Sequence, residues 1–210
     1  MELLSHRGYW KNIEEKNTKE ANDLSFKNGW GIETDIRDFD TELVISHDVA
    51  KDNNYTAAYL FEQYNKYSKK CTLALNVKAD GLTVLLSDLI KKYSIEDYFV
   101  FDMSIPETLR YFQLNMNVYI RCSEYEVPNT ELYAKAKGIW LDMFKHIWFD
   151  KSFVNLQLNN KKKIAFVSPE LHGRNEMELW EFIKENNWHL SPQVLLCTDV
   201  PDKAKIYFDL

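Results

Sequence analysis

The chain has 210 residues, 45% of them hydrophobic, and a formal charge of −6. That is enough apolar surface for one large single domain, and the acidity excludes nucleic acid as the expected partner, because phosphate-backbone binding needs a basic patch. Cys71, Cys122 and Cys197 stand singly in or beside apolar runs, as free thiols of a reducing compartment do. Met1 leads almost at once into Leu3-Leu4-Ser5-His6, too short for a secretory leader, and no stretch reaches membrane-span length. A soluble cytoplasmic protein with no membrane partner is expected.

Strand-like runs of short apolar character are predicted at Glu2 to Ser5, Gly31 to Ile36, Cys71 to Val77, Tyr98 to Phe101, Asn117 to Arg121, Gly138 to Leu141, Lys163 to Val167 and Gln193 to Cys197. Between them lie helical patterns. The first begins at Asn17-Thr18-Lys19-Glu20, where Asn17 is placed to cap and Glu20 to complete a capping box. Others run over Leu82 to Tyr93, Ile105 to Gln113, Asn129 to Lys137, Lys151 to Asn159 and Asn175 to Asn186. Tyr55, Tyr59, Tyr64 and Tyr67 in the connection from Val49 to Lys70 fit a packed amphipathic helix. The Lys161 to Lys163 run reads as a solvated loop, and His146 and His189 as packed or surface residues.

Eight strands alternating with helices imply right-handed βα units and a (β/α)8 TIM barrel formed as a single domain over residues 1–210. An open doubly wound sheet is the alternative, disfavoured because no glycine-rich phosphate loop follows the first strand. A barrel gathers its chemistry at the C-terminal strand ends. The polar residues fall there: His6 and Arg7, Glu33 and Asp35, Asn76 and Lys78, then Asp102, Arg121, Asp142, Ser168 with Glu170, and Thr198 with Asp199. Glu33 and Asp35 are separated by one residue, so an extended chain turns both to one face, where they can share a divalent cation. His6 and His47 supply proton transfer, and Arg7 and Lys78 can grip an anion.

The motifs Ser5-His6-Arg7-Gly8, Gly31-Ile32-Glu33-Thr34-Asp35-Ile36, Ile45-Ser46-His47-Asp48, Leu75-Asn76-Val77-Lys78 and Cys197-Thr198-Asp199-Val200-Pro201 span the chain. Together they resemble the glycerophosphodiester phosphodiesterase family, within the wider group of phosphatidylinositol-phosphodiesterase-like barrels. The resemblance implies His6 and His47 as general acid and base, Glu33 and Asp35 as ligands of one Mg2+ or Ca2+ (Mn2+ also suits), and Arg7 and Lys78 at the phosphate. It implies attack by a neighbouring substrate hydroxyl on a small soluble diester. Two departures stand out. Asn76 occupies the place of the family's third metal carboxylate and offers a carbonyl oxygen but no charge, so the expected third ligand is Asn76 itself, with lower cation affinity, or Asp80, Asp102 or Asp142 in its stead. The Val49 to Lys70 connection is short where the family inserts a substrate-covering subdomain, and Glu170 and His172 after the seventh strand are candidate replacement contacts. A binding protein with a decayed metal site, or a lyase that stops at the cyclic phosphate, are the alternatives.

Overall fold

A computed structural model describes residues 1–52, 54–67, 71–126 and 130–210. The chain divides into two compact units, one of Ser5–Val118 and one of Met1–Leu4 with Tyr119–Leu210. Strand β1 (Glu2–His6) contributes to both.

The first unit continues with α1 (Lys19–Lys27), β2 (Gly31–Phe39), β3 (Glu42–Ile45), α2 (Ala57–Asn65), β4 (Leu73–Val77), α3 (Thr83–Lys92), β5 (Tyr98–Phe101) and α4 (Ile105–Gln113). β2, β4 and β5 pair in parallel, with Ile32↔Leu73 and Leu73↔Tyr98 in register. β4 is buried along its whole length, as a strand covered on both faces must be. Helices α1, α2 and α4 start where side chains accept backbone N–H groups: Thr18 from Ala21, Thr56 from Tyr59 and Ser104 from Glu107.

The second unit holds β6 (Tyr119–Cys122), α5 (Thr130–Lys135), β7 (Gly138–Leu141), α6 (Lys151–Asn159), β8 (Lys163–Val167), α7 (Met177–Glu185), β9 (Val194–Thr198) and α8 (Pro201–Phe208). Its strands run parallel in the order β9-β8-β7-β6. Its core is aromatic: Phe166 stacks on Trp188 at 5.9 Å, and Phe149 lies 5.9 Å from Phe166.

All eight expected strands form, with ends moved by no more than two residues except at β2, which runs three residues past Ile36. One more strand exists. β2 passes Ile36 and turns through Asp40, at φ 60°, into antiparallel β3, with Phe39↔Glu42 closing the hairpin. The tyrosine-bearing connection contains α2, and Leu60, Phe61 and Tyr64 are its buried side; its residues 53 and 68–70 lie outside the described residues, as does the expected helix start at Asn129. The lysine run is not a solvated loop. Lys162 is buried because its ammonium donates to the Tyr133 and Ala136 carbonyls, both at 2.7 Å, at the end of α5. Asn17 is not the α1 cap either; Thr18 takes that role.

Candidate active site

β1 delivers His6, and the backbone then reverses through two positive-φ residues, Arg7 at 58° and Gly8 at 88°. Gly8 has to be glycine, since a Cβ there would sit 2.8 Å from Ala21 atoms and the Asn22 side chain. Arg7 lacks that freedom and is held by its own hydrogen bonds. Its N–H donates to the Glu33 carbonyl at 2.8 Å, and its carbonyl accepts from the Asn17 N–H at 2.8 Å. A strained residue held so firmly is the kind found at working sites.

Glu33 and Asp35 lie on the part of β2 that pairs with β4, just before the parallel ladder ends at Ile36↔Val77. Both are almost wholly buried, at 2% and 0% exposure. Arg7 Nε lies 3.0 Å from Asp35 Oδ2, and Lys78 Nζ lies 3.2 Å from Asp35 Oδ1. Asn17 Nδ2 also donates to Asp35 Oδ2, at 2.8 Å. Glu33 receives the Asn76 amide on Oε1 at 3.3 Å, and His6 Nε2 approaches its Oε2 to 3.8 Å. Burial first, and the nearby Asp35 charge second, push the Glu33 carboxyl above the usual carboxylate range, against the pull of Arg7, Lys78 and Asn76.

The second histidine is placed by the hairpin. Ser46 N–H donates to the Asp35 carbonyl at 3.0 Å, which sets the Ser46-His47-Asp48 segment beside β2. His47 Nδ1 pairs with Asp48 Oδ1 at 2.8 Å, so Nε2 is the ring nitrogen left for chemistry. His47 is half-exposed, and the Arg37 guanidinium donates to its carbonyl at 3.1 Å. A cleft of about 530 Å3 lies against Arg7, Asn17, Lys19, His47, Asp48 and Tyr55.

The structure thus brings His6, Arg7, Glu33, Asp35, Asn76 and Lys78 into one cluster, with His47 on the cleft that Arg7 also lines. Asp80 does not join them. It is exposed and accepts a hydrogen bond from Ser104 at 3.0 Å. Asp102 follows β5 half-buried in a left-handed conformation, φ 68°. Asp142, Glu170 and His172 belong to the other unit. There Asp142 Oδ1 accepts from the Met143 N–H at 2.8 Å and meets His172 Nε2 at 2.7 Å, while Glu170 Oε1 takes the Thr198 hydroxyl and the Asp199 N–H. Asn17 also joins this cluster through Asp35, which the sequence does not signal, because Asn17 and Thr18 are both good helix caps and spacing alone does not say which one caps.

Among the described residues no three His, Cys, Asp or Glu side chains gather as a metal site. The Glu33 to Asn76 cluster nevertheless fits a hard divalent cation. Glu33 Oε2, Asp35 Oδ1 and Asn76 Oδ1 are all buried oxygens without a hydrogen bond, and two carboxylates with an amide carbonyl are donors that Mg2+ and Ca2+ prefer. A cation held there would relieve the repulsion that Glu33 and Asp35 now impose on each other.

No family model matches the sequence, and no curated protein matches it. Solved structures do. A Galdieria sulphuraria protein described provisionally as a glycerophosphodiester phosphodiesterase superposes with a TM-score of 0.79 at 16% identity, covering 100% of this chain and 98% of that one. The glycerophosphodiester phosphodiesterases of Parabacteroides distasonis and Agrobacterium tumefaciens give 0.75 at 13% identity and 0.71 at 16%. They cover 99% and 100% of this chain, and 96% and 99% of their own. The chain has the (β/α)8 fold of the glycerophosphodiester phosphodiesterases. In such a barrel the C-terminal strand ends carry the chemistry, and in the first unit His6, Asn76 and Lys78 occupy or follow those ends of β1 and β4. No helix among the described residues is long and apolar enough to cross a membrane.

Proposed function

We propose that this protein is a divalent-cation-dependent phosphodiesterase acting on a small soluble diester by histidine acid/base catalysis. The observation that carries the reading is the buried Glu33–Asp35 pair, whose oxygens without a hydrogen bond, with that of Asn76, are flanked by Arg7, Lys78 and His6. Glu33, Asp35 and Asn76 would hold Mg2+, Ca2+ or Mn2+, which supplies charge neutralisation on the phosphoryl oxygens when bound. Arg7 and Lys78 bind the remaining anionic oxygens and orient the phosphorus. One histidine takes the proton of a neighbouring substrate hydroxyl as that oxygen bonds to phosphorus. The other returns a proton to the departing alkoxide as its P–O bond breaks. Water then opens the cyclic ester, or the product leaves as the cyclic phosphate; phosphorus NMR distinguishes the two.

The test is hydrolysis of a panel of glycerophosphodiesters and sugar- or nucleotide-linked diesters with each cation. His6→Ala and His47→Ala should each lower the rate by about 10^2- to 10^4-fold. Full activity in both variants contradicts the assignment. A second reading, a phosphate-ester-binding protein with a weakened cation site, draws on the Asn76 amide that donates to Glu33 where a third carboxylate would face a metal. Under it, phosphate esters raise the melting temperature without turnover.

A further inference from the structure

Asn17 stands in a left-handed conformation, φ 59°, directly before α1, and both ends of its side chain are engaged. Asp35 can only accept hydrogen bonds when ionised, so the atom facing it at 2.8 Å is the Asn17 amide nitrogen. That fixes the amide's other end. Asn17 Oδ1 accepts the Thr34 hydroxyl at 2.8 Å, so Thr34 locks the orientation of the amide. The backbone N–H of Asn17 meanwhile holds the Arg7 carbonyl. Asp35 Oδ2 is therefore taken by Asn17 and Arg7, while Oδ1 faces the Lys78 ammonium at 3.2 Å and, without a hydrogen bond, stands with Glu33 Oε2 and Asn76 Oδ1 among the buried oxygens a cation could use.

We propose that Asn17 is a positioning residue that, backed by Thr34, turns Asp35 Oδ1 toward a divalent cation. The inference rests on the cation-dependent reading above. Partners that orient a metal-binding carboxylate govern affinity nearly as strongly as the ligands themselves.

Three variants of the full chain isolate the role. Asn17→Gly suits the positive φ and removes only the amide. Asn17→Asp keeps the shape but faces one carboxylate with another. Thr34→Val removes the hydroxyl that locks the amide. After chelator treatment, each is titrated calorimetrically with MgCl2 alone, its cation-free melting temperature is recorded, and diester turnover is split into kcat and KM.

Wild type should bind Mg2+. Asn17→Gly and Asn17→Asp should bind it about 10- to 100-fold more weakly, with kcat falling more than KM rises and cation-free melting little changed. Thr34→Val should move the same way by less, and carries the test if the Asn17 variants do not fold. Unchanged Mg2+ affinity in all folded variants overturns the proposal and leaves the phosphodiesterase reading standing. A wild type that binds no Mg2+ overturns both this role and cation dependence. Weakened Mg2+ binding in the variants of a wild type that cleaves no diester supports the role of Asn17 and contradicts the phosphodiesterase reading.

Discussion

The two units treat their carboxylates differently. In Tyr119–Leu210 Glu124 accepts the N–H groups of Phe144, Lys145 and His146, and Asp142 holds both Met143 and His172, while Glu170 keeps one buried oxygen, Oε2, without a hydrogen bond. In Ser5–Val118, Glu33 and Asp35 are buried more completely, yet each keeps an oxygen without a hydrogen bond. A satisfied carboxylate stabilises a fold, whereas a buried one left partly unsatisfied costs stability and is kept where function requires it. The contrast is why we propose the cation site at the Glu33–Asp35 pair.

The largest effects should separate the histidines of the two units. His6→Ala or His47→Ala should lower diester cleavage by about 10^2- to 10^4-fold. His172→Ala should leave kcat essentially unchanged and lower stability by about 1–3 kcal/mol, because it strands the buried Asp142. Thermal melts and steady-state kinetics on the same preparations measure both. A collapse of kcat in His172→Ala would erase the distinction.

A smaller effect follows from Asn76. Replacing it by glutamate adds a third negative oxygen donor and removes the amide from Glu33, so Mg2+ affinity should rise by about tenfold. Titration calorimetry reads this, and an unchanged affinity would place Asn76 outside the cation site.

The smallest belongs to Glu124. Its partial burial raises the carboxyl pKa, but the N–H groups of Lys145, His146 and Phe144, together with its own, outweigh that and hold it at about 2. A folded pKa below the unfolded value of 4.5 means the stabilisation is present above pH 4.5 and is lost as pH falls toward 2. Glu124→Gln should therefore flatten the acid limb of the melting-temperature profile over that window and leave activity near neutrality unchanged.

Much of this was legible in the residues. Alternation alone put Glu33 and Asp35 on one face, and both helices running from Ile105 and from Lys151 form with the expected bounds. The β2–β3 hairpin was not, because its Asp40-Thr41 turn lacks the Asn-Gly or Asp-Gly pair that marks tight hairpins; Asp40 supplies the positive φ instead. Lys162 misled because a charge run says nothing of the carbonyls that fold onto it. Asn17 and the Asp142–His172 pair depend on contacts 18 and 30 residues apart in sequence, beyond any local pattern. Residue types at strand ends are readable one strand at a time; which oxygen each partner takes is a property of the assembled cluster.

One titration decides the matter at its root. Chelator-treated protein should cleave no diester of the panel, and activity should return as Mg2+ is added, in step with calorimetric binding that Asp35→Ala abolishes. Full hydrolysis in excess EDTA, or Mg2+ binding that survives Asp35→Ala, would contradict a cation held by the Glu33–Asp35 pair.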